Sequence, residues 1–279
     1  MNNIDVGCEL QYEVKSPTTM LFNLSVASTE YQTVVSESLW LTPYIMAEQL
    51  EVGATLNRVQ RVYAEPGLFN IQYIANVNLG AEIHCPESLV EKPYSCIPAE
   101  VLPYLNPSRY CQSDLLGNFA MSEFGGEEHG YRRVQAICDW TYQHLAYVSG
   151  STDSETTARD VLVQRQGVCR DFAHLAISLC RGLGIPARYV SGYAIDLEPP
   201  DFHGFFEAYL GERWYLFDAT RLARVEGLIR IATGVDASEV PFATLIGTTE
   251  LKLKTVWARL SNASQSLVVP AKESAVSTA

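Results

Sequence analysis

The residue in this sequence best placed to do chemistry is a cysteine, Cys169, at the start of an apolar helical pattern. Gly167 and Val168 precede it, and Gly184 and Pro186 end the pattern. The residues that would form one buried helix face are Phe172, Ala173, Leu175, Ala176, Leu179, Cys180 and Leu183. The unpaired N–H groups and the positive dipole end of a helix's first turn favour a thiolate over a thiol. The spacing therefore predicts a nucleophile, although Cys169 considered alone would be assigned to the core, where free cysteines are common.

Two further polar residues frame a predicted β-hairpin. His203 directly precedes the strand predicted at Gly204–Leu210, and Asp218 ends the strand predicted at Arg213–Asp218. They lie eight and six residues from the turn at Gly211-Glu212, so one bulge or a ragged end would bring them to the same end of the hairpin. We expect Asp218 to orient one nitrogen of His203 while the other nitrogen faces Cys169, as nucleophile, base and orienter do in cysteine hydrolases.

Several ordered blocks resemble one known family. They are Gly167–Ala173, Gly184–Tyr193, His203–Leu210 and Trp214–Thr220, followed by a similar segment from Ile231 to Gly247. Together they resemble the transglutaminase-like superfamily of papain-fold enzymes, specifically its bacterial transglutaminase-like cysteine proteases. The resemblance covers about residues 130 to 260, and the β-rich start is similar to the region that precedes the core of those proteins.

The resemblance implies roles for three residues: Cys169 as nucleophile, His203 as general base and acid, and Asp218 as orienter. The sequence departs from the family at two positions. Phe205 stands where tryptophan is frequent after the histidine, and Ala219 stands where proline is usual after the aspartate. Neither change alters a reacting atom, so both concern substrate or packing.

Acyl transfer also needs hydrogen-bond donors for an oxyanion. The backbone N–H of Cys169 is one candidate because it lies at a helix start. A side-chain donor could come from Tyr147, which we rank first, or from Gln164 or Gln166.

Three outcomes of this chemistry remain open. Hydrolysis of a peptide or carboxamide bond is the first choice, because no calcium-binding acidic loop of the animal transglutaminase kind is present in the sequence. Transfer to an amine would pass through the same thioester. The third alternative is a degenerate core that only binds peptides, with the β-domain as adaptor.

Composition limits the partners. The chain has 279 residues, of which 47% are apolar, and a formal net charge of −12. This charge argues against nucleic acid and anionic membranes as main partners. The expected partner, a peptide or protein substrate, follows from the cysteine chemistry and the resemblance. The N-terminus lacks a basic patch followed by an apolar segment, and no apolar run reaches the roughly 20 residues of a membrane span, so a cytoplasmic location is expected.

The pattern predicts an α+β fold with an N-terminal antiparallel β-domain, and the resemblance implies that the rest is a papain-like transglutaminase core. We assign 1–84 to a β-sandwich-like domain, 85–112 to a proline-rich linker, 113–262 to the catalytic core and 263–279 to a flexible tail. Helices are expected at Ser113–Met121, Tyr131–Leu145 and Thr157–Gln164, before the Cys169 helix.

Other candidate residues receive structural interpretations. The seven cysteines are odd in number and irregularly spaced, which favours reduced thiols. His84, Cys85, Cys96 and Cys111 lack paired Cys-x-x-Cys spacing, so we expect no metal and no cofactor. His174 is expected to make structural hydrogen bonds, Cys180 to lie in the core and Asp171 to cap the helix. Glu207 could form a core salt bridge or contact substrate.

Overall fold

The computed structural model describes residues 2–262, 267 and 274–279. Its strands are β1 (Asn2–Val14), β2 (Thr18–Phe22), β3 (Gln32–Thr42), β4 (Glu48–Val52), β5 (Asn57–Ala64), β6 (Gly67–Leu79), β7 (Glu82–His84), β8 (Ala146–Tyr147), β9 (Gln166–Gly167), β10 (Ala187–Ala194), β11 (His203–Leu210), β12 (Arg213–Phe217), β13 (Leu228–Gly234), β14 (Ala243–Ile246), β15 (Thr249–Leu260) and β16 (Ala275–Ser277). Its α-helices are α1 (Ser113–Phe124), α2 (Tyr131–His144), α3 (Ala158–Gln164) and α4 (Cys169–Gly182). The fold is α+β, as predicted.

The alternating strands near the start form two four-stranded sheets that pack face to face. The strand orders are β15-β1-β6-β3 and β14-β2-β5-β4. The Phe22 ring of the second sheet lies between two rings of the first, with centroid distances of 6.0 Å to Tyr12 and 6.4 Å to Phe69. Side chains along β6 alternate between buried and partly exposed, which is the pattern of a strand with one face on the core.

Two strands from late in the chain complete this sandwich. β15 pairs with β1 from Ile4↔Leu260 to Val14↔Thr249, and β14 pairs with β2. The range of 113–262 predicted for the catalytic core therefore needs correction at its C-terminal end. The physical reason is that β15 is a mostly exposed edge strand, whose local pattern carries no information about which distant strand it pairs with.

The end of the chain also differs from expectation. β16 pairs with β7, and Val276 is buried in an apolar cluster with Phe205 and Leu216. The prediction of a flexible tail over 263–279 is therefore wrong for residues 275–277, because small apolar side chains there fill a face of the core. Residues 263–266 and 268–273 lie outside the described residues.

The second unit is built around α4 and an antiparallel sheet of order β12-β11-β10-β13. α4 contacts β10 and β11 on one side and the other three helices elsewhere, so every residue from Asp171 to Arg181 is buried. The proline-rich segment is held against this unit, since the Tyr104 ring meets the Trp214 ring edge-on at 5.2 Å. Within the described residues, no helix has the length and apolar character needed to cross a bilayer.

Candidate active site

The start of α4 is fixed by a buried carboxylate. Asp171 Oδ2 accepts hydrogen bonds from the Val168 N–H at 2.9 Å and from the Thr152 hydroxyl at 2.5 Å. Asp171 therefore caps the helix as predicted, and Cys169 is the first residue of α4, half-buried. A β-carbon at Gly167 would lie 2.7 Å from the Asp171 β-carbon, so only glycine fits at this position.

The hairpin of β11 and β12 brings His203 and Asp218 together. Its register pairs Leu210 with Arg213 and Phe206 with Phe217, so Asp218 comes opposite Phe205 and His203 reaches it diagonally. His203 Nε2 lies 2.9 Å from Asp218 Oδ2, and both side chains are buried. His203 therefore lies two residues beyond the position opposite Asp218, which is the offset of eight against six residues counted from the turn in the sequence.

At this pair, the charge of each partner and burial have opposite effects on the pKa values. Burial by itself lowers the pKa of His203, but the charge of Asp218 and hydrogen bonds with Asp218 and the Cys169 thiol outweigh it and raise the pKa to about 10. Burial by itself raises the pKa of Asp218, yet the charge of His203 and hydrogen bonds from His203 and Thr220 leave that pKa below its usual range. The favoured state is an ionised carboxylate facing a protonated imidazole, whose Nδ1 is the nitrogen left for Cys169.

Tyr147 also lies at Cys169. β8 and β9 form a short parallel pair in which Tyr147 is opposite Gly167, and the Val148 N–H donates to the Gly167 carbonyl at 3.0 Å. This pairing fixes Tyr147 beside the segment that leads into Cys169. Its hydroxyl interacts with both the backbone N–H and the thiol of Cys169, and burial together with the neighbouring sulfur raises its pKa.

The structure therefore brings together the four side chains predicted for the site: Cys169, His203, Asp218 and Tyr147. Gln166 lies in β9, whose backbone pairs with that of β8, and Gln164 is the last residue of α3. The Tyr147 hydroxyl thus lies beside the backbone N–H of Cys169 as well as beside its thiol.

Other polar residues of the unit have structural partners. The Nε2 atom of buried His174 accepts a hydrogen bond from the Ala237 N–H at 3.1 Å, as a structural role predicts. Glu207 is fully buried between two arginines, with Arg188 Nε 2.7 Å from its Oε2 and Arg230 on its other oxygen. Of the two interpretations of Glu207, the structure thus favours the core ion pair.

The four residues whose types are those of metal ligands, His84, Cys85, Cys96 and Cys111, lie in different environments. Cys85 and Cys96 are exposed, whereas Cys111 is fully buried. The edge of one ring faces the plane of the other in the pair of His84 and Tyr215, whose ring centroids are 5.7 Å apart.

Sequence reasoning missed the residues that surround Asp218. Thr220 donates to Asp218 Oδ1 through its N–H at 2.9 Å and its hydroxyl at 2.7 Å, and the Ala223 N–H donates to Oδ2 at 3.2 Å. The signal was available in the spacing, because Asp-x-Thr in a turn commonly forms such local bonds.

Comparison with known proteins places these elements in a wider group. Residues 118–219 match the transglutaminase-like superfamily, and residues 2–92 match the family described as bacterial transglutaminase, N-terminal domain. A solved structure described as "a Putative Cysteine Protease from Cytophaga hutchinsonii" is 40% identical, covers 99% of this chain and 97% of its own, and superposes with a TM-score of 0.95.

Two curated relatives match over shorter stretches. An uncharacterized protein of Mycobacterium leprae is 34% identical over 121 residues, which is 39% of this chain and 42% of the relative. An uncharacterized protein of Mycobacterium tuberculosis (strain H37Rv) is 36% identical over 96 residues, 34% of this chain and 30% of the relative. The matched part of this chain thus spans less than half the length of either relative.

Proposed function

Because this chain belongs to the transglutaminase-like superfamily, we propose that it is a thiol-dependent acyl-transfer enzyme acting on peptide or carboxamide bonds. The favoured outcome is hydrolysis, as in a cysteine protease or amidase. The observation that carries the proposal is the buried pair of His203 and Asp218, 2.9 Å apart, in contact with a cysteine at a helix start. A structural core cysteine needs no such charged partner.

In the proposed mechanism the Cys169 thiolate, formed with its proton on His203, attacks the carbonyl carbon of the substrate. The carbonyl π electrons move to oxygen, and that oxyanion accepts hydrogen bonds from the Cys169 N–H and the Tyr147 hydroxyl. The intermediate collapses as His203 gives its proton to the leaving nitrogen, so the C–N bond breaks and a thioester remains.

Water completes the cycle. His203, now neutral, takes a proton from the water as the water oxygen attacks the thioester carbon. The C–S bond then breaks, which releases a carboxylic acid and restores the thiolate beside a protonated His203. Asp218 remains ionised throughout and keeps the imidazole oriented. The description of the Cytophaga relative as "a Putative Cysteine Protease" supports water as the acceptor.

The test uses alkylation and product mass. Wild-type protein should react with iodoacetamide at Cys169 at pH 6, ahead of the exposed Cys85 and Cys96, and a Cys169→Ala variant should lose both this labelling and turnover. Slow alkylation of wild type, without preference for Cys169, would contradict the proposal. Incubating a glutamine peptide with and without a primary amine then separates the outcomes by product mass, because hydrolysis of the side-chain amide replaces ammonia with water whereas amine transfer replaces ammonia with the amine.

A further inference from the structure

The carboxylate of Asp218 is held by more than its histidine. Its Oδ2 accepts from His203 Nε2 at 2.9 Å and from the Ala223 N–H at 3.2 Å. Its Oδ1 accepts from the Thr220 N–H at 2.9 Å and from the Thr220 hydroxyl at 2.7 Å. Among the described residues, Thr220 thus supplies the one side-chain donor on the oxygen that does not face His203.

The Thr220 hydroxyl is itself oriented. Thr220 is buried, and its Oγ1 accepts a hydrogen bond from the Leu222 N–H at 3.1 Å, so its own proton points to Asp218. Arg221 has a positive φ of 56°, in the left-handed region. This backbone conformation turns the chain so that the N–H groups that follow face back toward the carboxylate. The turn from 218 to 223 therefore wraps around the carboxylate.

We propose that Thr220 is the positioning residue of this site, and that its hydroxyl keeps the Asp218 carboxylate facing His203 Nε2. The catalytic part of this inference rests on the proposed function. The carboxylate torsion of aspartate is broad and is not fixed by the side chain alone. A donor fixed on Oδ1 restricts this torsion, so Oδ2 stays within hydrogen-bonding distance of the imidazole. Thr220 contacts none of the reacting atoms, and acts through Asp218.

The chain contains a matched control. In the segment Asp236-Ala237-Ser238, the Ser238 N–H and hydroxyl donate to Asp236 Oδ1 at 2.8 and 2.6 Å. Asp236 is fully buried, as Asp218 nearly is, but its other oxygen accepts from the backbone N–H of Tyr110. Ser238→Ala thus removes the same kind of bond from a buried carboxylate that does not face His203.

The experiment is an NMR titration of the His203 ring in the full chain for wild type, Thr220→Val, Thr220→Ser and Ser238→Ala. Thr220→Val should lower the His203 midpoint by about one pH unit, a tenfold loss of proton affinity, because the imidazole loses a well-placed partner while burial persists. Thr220→Ser should keep the wild-type midpoint, and so should Ser238→Ala even where it lowers stability. If Thr220→Val does not fold, Thr220→Ala carries the same expectation.

An unchanged or raised midpoint in the folded variant would overturn the inference, since loss of a bond without movement makes the carboxylate more basic and strengthens its hold on the imidazole. In turnover, kcat should fall about tenfold with KM unchanged, and serine should restore it. The titration does not need turnover: a lowered midpoint in a protein that transfers no acyl group would leave the positioning role standing while the proposed function fails. Conversely, turnover by the wild-type protein together with an unchanged His203 midpoint in Thr220→Val would support the proposed function and contradict the positioning role.

Discussion

Replacing Asp218 with asparagine should reverse the direction of the pKa shift at His203. In the native site, burial lowers this pKa, and the charge and hydrogen bond of Asp218 together with the Cys169 contact raise it to about 10. Asparagine has nearly the same size and can still accept a hydrogen bond from Nε2, but it carries no charge. Burial would then dominate, and the pKa should fall below its ordinary value of about 6.5.

The magnitude follows from linkage. A rise from 6.5 to about 10 corresponds to about 5 kcal/mol of unfolding free energy, at roughly 1.4 kcal/mol for each pH unit. Because the folded-state pKa of His203 is the raised one, this stabilisation is fully present below about pH 6.5 and is lost as the pH rises through about 10. The difference in stability between wild type and Asp218→Asn should therefore be largest near pH 6 and shrink toward pH 10.

Urea unfolding at pH 6, 8 and 10 measures this difference, with an NMR titration of His203 in parallel. Asp139→Asn is the control, since Asp139 pairs with Arg221 at the surface and both side chains are more than two-fifths exposed. Its effect should be much smaller and nearly independent of pH over this range. Parallel pH curves for wild type and Asp218→Asn would refute the argument that the Asp218 charge sets the protonation of His203.

Two further changes test the rest of the unit. Glu207→Gln should lower the free energy of unfolding in urea by about 3 to 5 kcal/mol, because it leaves the two neighbouring arginines buried without their counter-charge. The control Glu212→Gln, at the surface, should have no measurable effect. Similar results for both variants would show that the buried cluster is not stabilising. Tyr147→Phe should lower kcat about a hundredfold with little change in KM, because one oxyanion donor is lost. The control Tyr63→Phe, at a similarly exposed tyrosine, should leave kcat unchanged. An unaltered kcat in Tyr147→Phe would show that its hydroxyl takes no part in the mechanism.

Local patterns located the elements that matter most here. The apolar spacing after Cys169 predicted α4, which runs from Cys169 to Gly182, and period-two alternation predicted β11 and β12 with their two-residue turn. These features are readable because helix faces and hairpins are set by neighbours close in sequence. For the same reason, the offset of His203 against Asp218 could be bounded from the turn.

Long-range pairings were not readable. β14 and β15 fall in the range predicted for the catalytic core, 113–262, but they join the sheets of β2 and β1. Residues 275–277 were expected to be flexible but form a strand that pairs with β7. Whether an edge strand pairs with one distant strand or another depends on backbone groups that every sequence shares.

The sequence by itself determined which side chains are available for chemistry and the order in which they occur, because residue type and local period fix a helix start and a hairpin end. Only the tertiary structure decided the protonation of His203, the hydrogen bond from Thr220 to Asp218 and the placement of Tyr147 beside Cys169. Each of these depends on distances between segments and on exclusion of water, and both arise only when the helix, the hairpin and the short parallel pair pack together.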